Sequence, residues 1–545
     1  MKIKLAQYKY RVGDFEYNTS KIISCIERAK EEGVDIVCFS ELSVCGYPPR
    51  DFLEFRDFIR MCEQSIGKIA KASRGLAVVV GAPSVNPVVE GKDLFNSAYF
   101  IADGEVKQII HKTLLPTYDI FDEYRYFEPS HNFNLIEYKG KKIAITICED
   151  LWNIGNENPL YTVCPMDELI KLKPDFAINI SASPFAIGHA AARLDVLREN
   201  GRRYRIPLFY VNQVGGQTEI LFDGGSAVVT AEGRIFDEMA YLKEEERTYE
   251  LKEVFSTDKE RLQKQEDIPL IHDALVMGIQ DYFKNMGFKT AIIGLSGGID
   301  SAVTAALAVR AIGAENVRGL LMPSQFSSVH SVTDAVALAE NLGMHYDIIP
   351  IKDIYDSFMI KLGPFFEGKE FDVTEENIQS RVRGILNMAI SNKFGNILLN
   401  TSNKSEMAVG YGTLYGDLCG GLSVLGDVYK TSVYKLADYI NRDREVIPRN
   451  SILKPPSAEL RPGQKDADSL PDYDILDQIL YQYIECCKGP KEIIEMGYDE
   501  ALVRRILRLV NINEFKRYQT APVLRVTNKA FGIGRRMPIV AKYLC

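Results

Sequence analysis

Twice along this chain a rhythm of short β-rich runs and helical stretches sets in, and a charged tract parts the two occurrences. The first runs from residue 1 to about 240 and holds KIKLAQY, VDIVCF, LAVVVGAP, VKQIIH, KKIAITIC, DFAINIS and IPLFYVNQ. The second restarts with TAIIGLSGGIDSAVTAALAVRAIG and continues through NVRGLLMP, HYDIIPI and NILLNTS, with helices expected near 330–342 and 375–394. Strands alternating with helices bury a sheet under helical layers, so both halves read as α/β domains, the second as a doubly wound parallel sheet. A length of 545 residues exceeds what one hydrophobic core usually serves, in agreement with two domains. The parting tract, KEEERTYELKEVFSTDKERLQKQEDIP at 243–269, is charged with little apolar periodicity and reads as a linker. The expected division is therefore 1–245, a linker at 246–269, and 270–545. Residues 448–474 are rich in proline and charge and are expected to be irregular, the kind of long loop that often serves a site. No internal repeat or low-complexity tract is evident.

Several function classes drop out. A net charge of −9 argues against coating nucleic acid, because phosphate binding needs basic surface. The ten cysteines at 25, 38, 45, 62, 148, 164, 419, 486, 487 and 545 form neither a compact disulfide framework nor paired CxxC knuckles, which fits a reducing cytoplasm. Neither a signal-peptide pattern at MKIKLAQYKYRVGDF nor an apolar run long enough to span a bilayer is found, so a soluble cytoplasmic protein without membrane partners is expected.

In the first half three strands run straight into chemically capable side chains: VDIVCFS into Glu41, VKQIIH into Lys112 and KKIAITI into Cys148. Strand ends in α/β folds converge on a crevice. A cysteine beside an ammonium and a carboxylate has what amide hydrolysis needs: Lys112 can favour thiolate and hold oxyanion charge, while Glu41 carries the proton. Taken alone, a cysteine such as Cys148 is usually a small hydrophobe closing a strand, and Glu41 and Lys112 taken singly would most often be solvated charges.

The surrounding words FSELSVCGYPPRD, HKTLLPTYDIFDEYRYFEP and TICEDLW resemble the nitrilase (carbon–nitrogen hydrolase) superfamily, in the version that serves as glutaminase for NAD synthetases. The resemblance implies an α-β-β-α sandwich, with Cys148 as nucleophile, Glu41 as general base and Lys112 as the electrostatic third member. It further implies that Tyr118 and Ser183, the serine of NISASPF, hold glutamine. A basic residue is usual six positions beyond that serine; here the position is His189, and Arg193, one helical turn later, could share its task. Glu123 sits where the superfamily often has a second carboxylate and reads equally as a surface charge.

In the second half the strand TAIIGL leads through SGGIDS into a helix. Adjacent glycines permit close backbone approach to phosphate, and the helix start offers unpaired N–H groups. The string fits neither GxxxxGK[ST] nor GxGxxG. Asp300 inside the loop would repel phosphate unless a divalent cation stood between them, which argues for Mg²⁺ bridging a polyphosphate. SGGIDS resembles the loop of enzymes that split ATP between its α and β phosphates and leave an adenylate.

The resemblance to NAD synthetases continues through LLMPSQFSSVHSVTDA, TEENIQSRVRGILNMA, NTSNKSEMAVGYGTLYGDLCGG, GDVYKTSVYKLA, KPPSAELRPGQKDADSLP and EFKRYQTAP. It implies that Gly294, Leu295, Ser296, Gly297, Gly298, Ile299, Asp300 and Ser301 bind ATP phosphates, joined by Thr401, Lys430 and Ser457. Glu406 is implied as the second Mg²⁺ acid beside Asp300. Glu406, Asn377, Tyr411, Gly412, Thr413, Leu414 and Lys516 are implied at a deamido-NAD pocket. The implied activity is amidation of the nicotinate carboxylate, activated as an adenylate by ATP, with ammonia from glutamine, in a homo-oligomer. Its rivals are other amidotransferase ligases with an SGGxDS loop, a free-standing amidase with a loosely attached nucleotide domain, and a nucleotide sensor without turnover.

Overall fold

The computed structural model describes residues 1–154, 159–256, 260–264, 266–464, 466–468 and 470–544. The chain divides into two compact units, Met1–Gln265 and Glu266–Cys545.

The first unit holds two six-stranded sheets. One runs, in spatial order, Glu245–Glu250, Lys2–Gln7, Ile36–Cys38, Ala77–Val85, Leu94–Ala102 and Glu105–His111; the other runs Ile136–Tyr138, Lys141–Ile147, Phe176–Ser181, Leu208–Asn212, Ala227–Val229 and Ile235–Glu238. Read in those orders both sheets pair antiparallel, parallel, parallel, antiparallel, antiparallel, so one architecture is used twice although no sequence repeat is visible. Ile3, Ile36, Val79 and Phe100 of one sheet share a core with Ile145, Ile178 and Phe209 of the other, so the sheets pack face to face. Helix His189–Tyr204 covers the outer face of the second sheet through Leu194 and Leu197. This is the α-β-β-α sandwich that the resemblance implied.

The linker expected at 246–269 is corrected at its start. Glu245–Glu250 is an edge strand paired antiparallel with Lys2–Gln7, and Leu251–Ser256 is a short helix. Its apolar residues Tyr249, Leu251 and Val254 enter the sandwich core, and its charges are matched locally, Glu246 by Lys4 at 3.1 Å and Arg247 by Asp237 at 2.8 Å. Paired charges on an edge strand leave no apolar periodicity to read, which is why the strand escaped the pattern.

The second unit carries a five-stranded all-parallel sheet in the order His345–Ile348, Val317–Leu321, Ala291–Gly294, Ile397–Asn400, Leu422–Ser423. In chain order this is 3-2-1-4-5, a doubly wound sheet whose order reverses between Ala291–Gly294 and Ile397–Asn400. Ligands bind such sheets outside the strand ends at that reversal. The two expected helices form at Val329–Leu342 and Val373–Phe394. The stretch expected to be irregular carries only short elements, Arg449–Leu453 and Asp466–Asp468, before the helix from Tyr473; residues 465 and 469 lie outside the described residues. No described helix is long and apolar enough to cross a membrane.

Candidate active sites

Glu41, Lys112 and Cys148 stand where their strands end, all buried. Lys112 Nζ donates to Glu41 Oε1 at 2.7 Å and to Glu123 Oε2 at 2.8 Å. Glu41 also accepts from Asn96 Nδ2 at 2.7 Å and from the Ala182 amide at 3.0 Å. Glu123 accepts in addition from the Tyr47 hydroxyl at 2.8 Å. Glu123 is thus a buried member of the site and its surface alternative is overturned: Lys112 and Tyr47 supply the partners that let a carboxylate stay inside. Burial pushes the Glu123 carboxyl up. Burial would lower Lys112, but the Glu123 and Glu41 carboxylates outweigh it and hold the ammonium charged.

Cys148 opens a 3₁₀ turn with φ of 44°, a left-handed conformation that a cysteine adopts only under constraint. The constraint is Asp150, whose carboxylate accepts from the amides of Ile147 at 3.0 Å, Thr113 at 3.1 Å and Leu114 at 2.8 Å. One side chain thereby ties the Cys148 turn to the segment that carries Lys112. Burial, with Glu41 next, pushes the Cys148 thiol well above its usual range, and Lys112 offsets this only in part. Lys112 thus acts in the expected direction, towards thiolate, but burial and Glu41 outweigh it. Gly81 permits the Glu41 turn, since a Cβ there would fall 2.3 Å from the Leu42 amide nitrogen.

Tyr118 donates to Glu149 at 3.0 Å, and Tyr161 donates to the same carboxylate at 3.2 Å. Glu149, adjacent to Cys148 and buried, is not among the candidates read from the sequence, although CED is legible as a second acid beside Cys148. Ser183 is buried with its amide on Asn212 Oδ1 at 2.8 Å and its hydroxyl without a protein partner, free for a ligand. His189 begins the helix His189–Tyr204 and stacks on Trp152, with ring centroids 5.2 Å apart. Arg193 is corrected. It is 1% exposed and grips Asp223 with its two terminal guanidinium nitrogens, at 3.0 and 2.9 Å, so it is committed to a structural pair.

In the second unit the loop Leu295–Gly298 follows the central strand and feeds the helix Ile299–Ile312. Gly297 has φ of 77°, and a Cβ on it would lie 2.2 Å from the Ser331 carbonyl oxygen, so only glycine fits. The Ser301 hydroxyl donates to the Gly298 carbonyl at 3.0 Å and lies 3.2 Å from Ser296 Oγ, fixing the loop's shape. The loop borders a cavity of about 300 Å³ at the sheet's reversal point, whose wall also includes Thr401, Glu406, Tyr411, Lys430 and Ser457.

Asp300 is held between Lys430, which forms an ion pair with it, and Asn403, whose Nδ2 donates at 2.9 Å. Glu406 lies 3.7 Å from the same Lys430 ammonium. Asn403 caps the helix Lys404–Val409, its Oδ1 accepting from the Glu406 amide at 3.0 Å while Glu406 Oε2 accepts from the Asn403 amide at 3.3 Å. This reciprocal cap was legible as N-x-x-E in NKSE, and it aims two carboxylates at one point. Burial, with the charge of Asp300 next, pushes the Glu406 carboxyl up. Two hard oxygen donors in need of positive charge suit Mg²⁺, which usually takes one or two carboxylates and completes its shell with water and phosphate. No group of three or more His, Cys, Asp or Glu among the described residues is placed to hold a metal alone.

Asn377, Gly412, Thr413, Leu414 and Lys516 do not border that cavity. They gather instead around the 410–417 turn, where the Thr413 hydroxyl donates to Asn377 Oδ1 at 2.7 Å and Lys516 Nζ donates to the carbonyls of Gly410 and Gly412 at 2.8 and 2.9 Å. Tyr411 joins the two groups and donates to Asp466 at 3.1 Å. Asp466 was missed because its loop has no periodicity to place it.

Residues 2–249 match the carbon-nitrogen hydrolase family and residues 271–520 match the NAD synthase family. The chain is 45% identical to a glutamine-dependent NAD(+) synthetase of Synechocystis sp., covering 99% of both, and 39% identical to one of Thermotoga maritima, covering 100% of this chain and 99% of the other. Among solved structures it is similar to the glutamine-dependent NAD+ synthetase from Acinetobacter baumannii in complex with adenosine diphosphate, with a TM-score of 0.79, 39% identity and 99% of each chain covered. A glutamine-dependent NAD(+) synthetase structure from Cytophaga hutchinsonii, at 21% identity and a TM-score of 0.85, shares the fold.

Proposed function

This chain belongs to the glutamine-dependent NAD(+) synthetase family, and from that premise we propose how its two sites share the reaction. The enzyme amidates deamido-NAD to NAD with ammonia released from glutamine, consuming ATP and giving AMP, pyrophosphate and glutamate by way of an adenylate.

At the first site the Cys148 thiol attacks the glutamine carboxamide as Glu41 takes its proton, and the Lys112 ammonium holds the charge that develops on the carbonyl oxygen. The Lys112 to Glu41 contact of 2.7 Å beneath the strained Cys148 turn is the observation that carries this reading. Glu41 then returns the proton to the departing ammonia, leaving a thioester that water cleaves to glutamate. Tyr118, the free hydroxyl of Ser183 and His189 hold the glutamine, and the Glu149 carboxylate faces its α-ammonium.

At the second site the loop Gly294–Ser301, with Thr401, Lys430 and Ser457, binds ATP. Asn377, Glu406, Tyr411, Gly412, Thr413, Leu414 and Lys516 hold deamido-NAD. The nicotinate carboxylate attacks the α-phosphorus, pyrophosphate departs, and ammonia displaces AMP from the acyl carbon. A free carboxylate is a poor acceptor for ammonia, whereas AMP is a good leaving group. Asp300 and Glu406 would hold Mg²⁺, which would neutralise phosphate charge there.

We further propose, on the family resemblance, a homo-oligomer working in the cytoplasm, which sedimentation of the purified protein tests. The decisive assay supplies ATP, Mg²⁺, deamido-NAD and glutamine. NAD, AMP and pyrophosphate in equal amounts support the reading, and glutamate release without NAD would reduce the chain to an amidase.

A further inference from the structure

Helix Val373–Phe394 lays two polar side chains, one helical turn apart, on the wall of the nucleotide cavity, and neither is assigned by the reaction described above. Asn387 is only 8% exposed, yet its Oδ1 has no hydrogen-bond partner among the described residues. Buried amides are almost always satisfied by protein or by a ligand. Arg383 has one protein partner among the described residues: its Nε donates to the Met322 carbonyl at 3.0 Å, which leaves the remaining guanidinium donors for the cavity.

The position of Asn387 narrows what it can meet. A Cβ built on Gly294, the last residue of the central strand, would fall 3.3 Å from Asn387 Nδ2 and 3.5 Å from the Met322 methyl. The amide therefore lies beside Gly294, where the central strand gives way to the loop, and next to the Met322 methyl, on a cavity wall that also includes Leu398 and Leu399. A neutral group with one donor end and one acceptor end, set against apolar walls, suits an uncharged heterocycle rather than a phosphate. Asparagine is the standard reader of adenine because its amide matches, atom for atom, an exocyclic amino donor beside a ring-nitrogen acceptor. The two ends of the amide exchange by a half-turn, so either assignment of oxygen and nitrogen serves.

We propose that Asn387 is the base-selecting residue of the ATP site, its amide accepting from the 6-amino group of adenine and donating to the neighbouring ring nitrogen, with Arg383 supplying further donors beside it. This rests on the reading of the cavity as the ATP site.

The test compares ATP with purine riboside triphosphate, which lacks only the 6-amino group, by calorimetric binding to the full-length protein with Mg²⁺. The wild type is expected to prefer ATP by about tenfold or more. Asn387→Ala should bring the two affinities to within about twofold, chiefly by weakening ATP, while Asn387→Asp, which keeps an acceptor of the same shape, should retain a preference for ATP. Equal affinities in the wild type, an Asn387→Ala protein that keeps the preference, or one that weakens both nucleotides alike would overturn the assignment. A wild type that binds neither nucleotide would sink the ATP reading itself, which is a different result from equal binding of both.

Discussion

Asn403 donates its side-chain amide to Asp300 at 2.9 Å while its own backbone amide is capped by Glu406, so one neutral residue sets the spacing of the two acids that point at Lys430. Asn403→Ala removes a helix cap, which costs about 1 kcal/mol, and frees Asp300 to move. Synthesis of NAD should fall at least about tenfold with either glutamine or ammonium, with glutaminase activity falling less. Asp300→Ala should abolish synthesis from both nitrogen sources. Near-normal NAD formation by Asp300→Ala at saturating Mg²⁺ would remove the metal-bridging role.

Cys148→Ala separates the two sites. Glutamine-dependent NAD formation should collapse by several orders of magnitude, since no neighbouring group replaces the thiol in forming a thioester. With ammonium the rate should stay within about tenfold of wild type, a barrier change of about 1.4 kcal/mol. A folded variant equally inactive with both nitrogen sources would show that the halves are not chemically separable.

Arg193 and His189 should respond differently to truncation. Arg193→Met leaves Asp223 buried without its bidentate partner, a loss of about 3–5 kcal/mol in stability, read as a lower unfolding midpoint of the first unit. His189→Ala should raise the KM for glutamine several-fold, leave the unfolding midpoint within about 2 °C of wild type, and spare ammonium-dependent synthesis. Should Arg193→Met change glutamine KM without changing stability, Arg193 would be a substrate ligand after all.

Asp150 ties stability to pH with a definite sign. Burial pushes its carboxyl up to about 6 in the folded chain, above the 3.8 of an unfolded one, so the folded form binds the proton more tightly. Its contribution is full below about pH 4 and is lost as the pH rises through about 6. Asp150→Asn cannot titrate, and its amide can neither accept all three backbone bonds nor avoid setting a donor against an amide. The variant should be less stable throughout, and the gap from wild type should narrow between pH 4 and 6. Denaturation midpoints of both proteins across that range check it; parallel curves would mean that Asp150 does not titrate there.

Much of this protein is legible in its sequence. Glu41, Lys112 and Cys148 could be picked because each closes an apolar strand, and strand ends converge whatever the surrounding loops do. Gly297, Asp300 and the helix after them could be picked because a phosphate loop is local: its glycines, its acid and its helix start lie within eight residues. The edge strand Glu245–Glu250 was hidden because its charges are neutralised by Lys4 and Arg28, which are remote in sequence, and by Asp237 on the neighbouring stretch.

What the sequence by itself determined is the α/β rhythm of each half, the order of the two domains and the residues able to do chemistry, because periodicity and short motifs are properties of neighbours along the chain. Only the tertiary structure decided which of those residues are committed elsewhere. Arg193 carries the right charge at a plausible spacing, yet a partner thirty residues away, Asp223, takes both of its terminal nitrogens. Glu123 read equally as a second site carboxylate and as a surface charge, and only the closure of Lys112 and Tyr47 over it decides between them; burial and Glu41 push the Cys148 thiol up by more than Lys112 lowers it. Burial and pairing depend on what the fold brings close, and no local pattern records that.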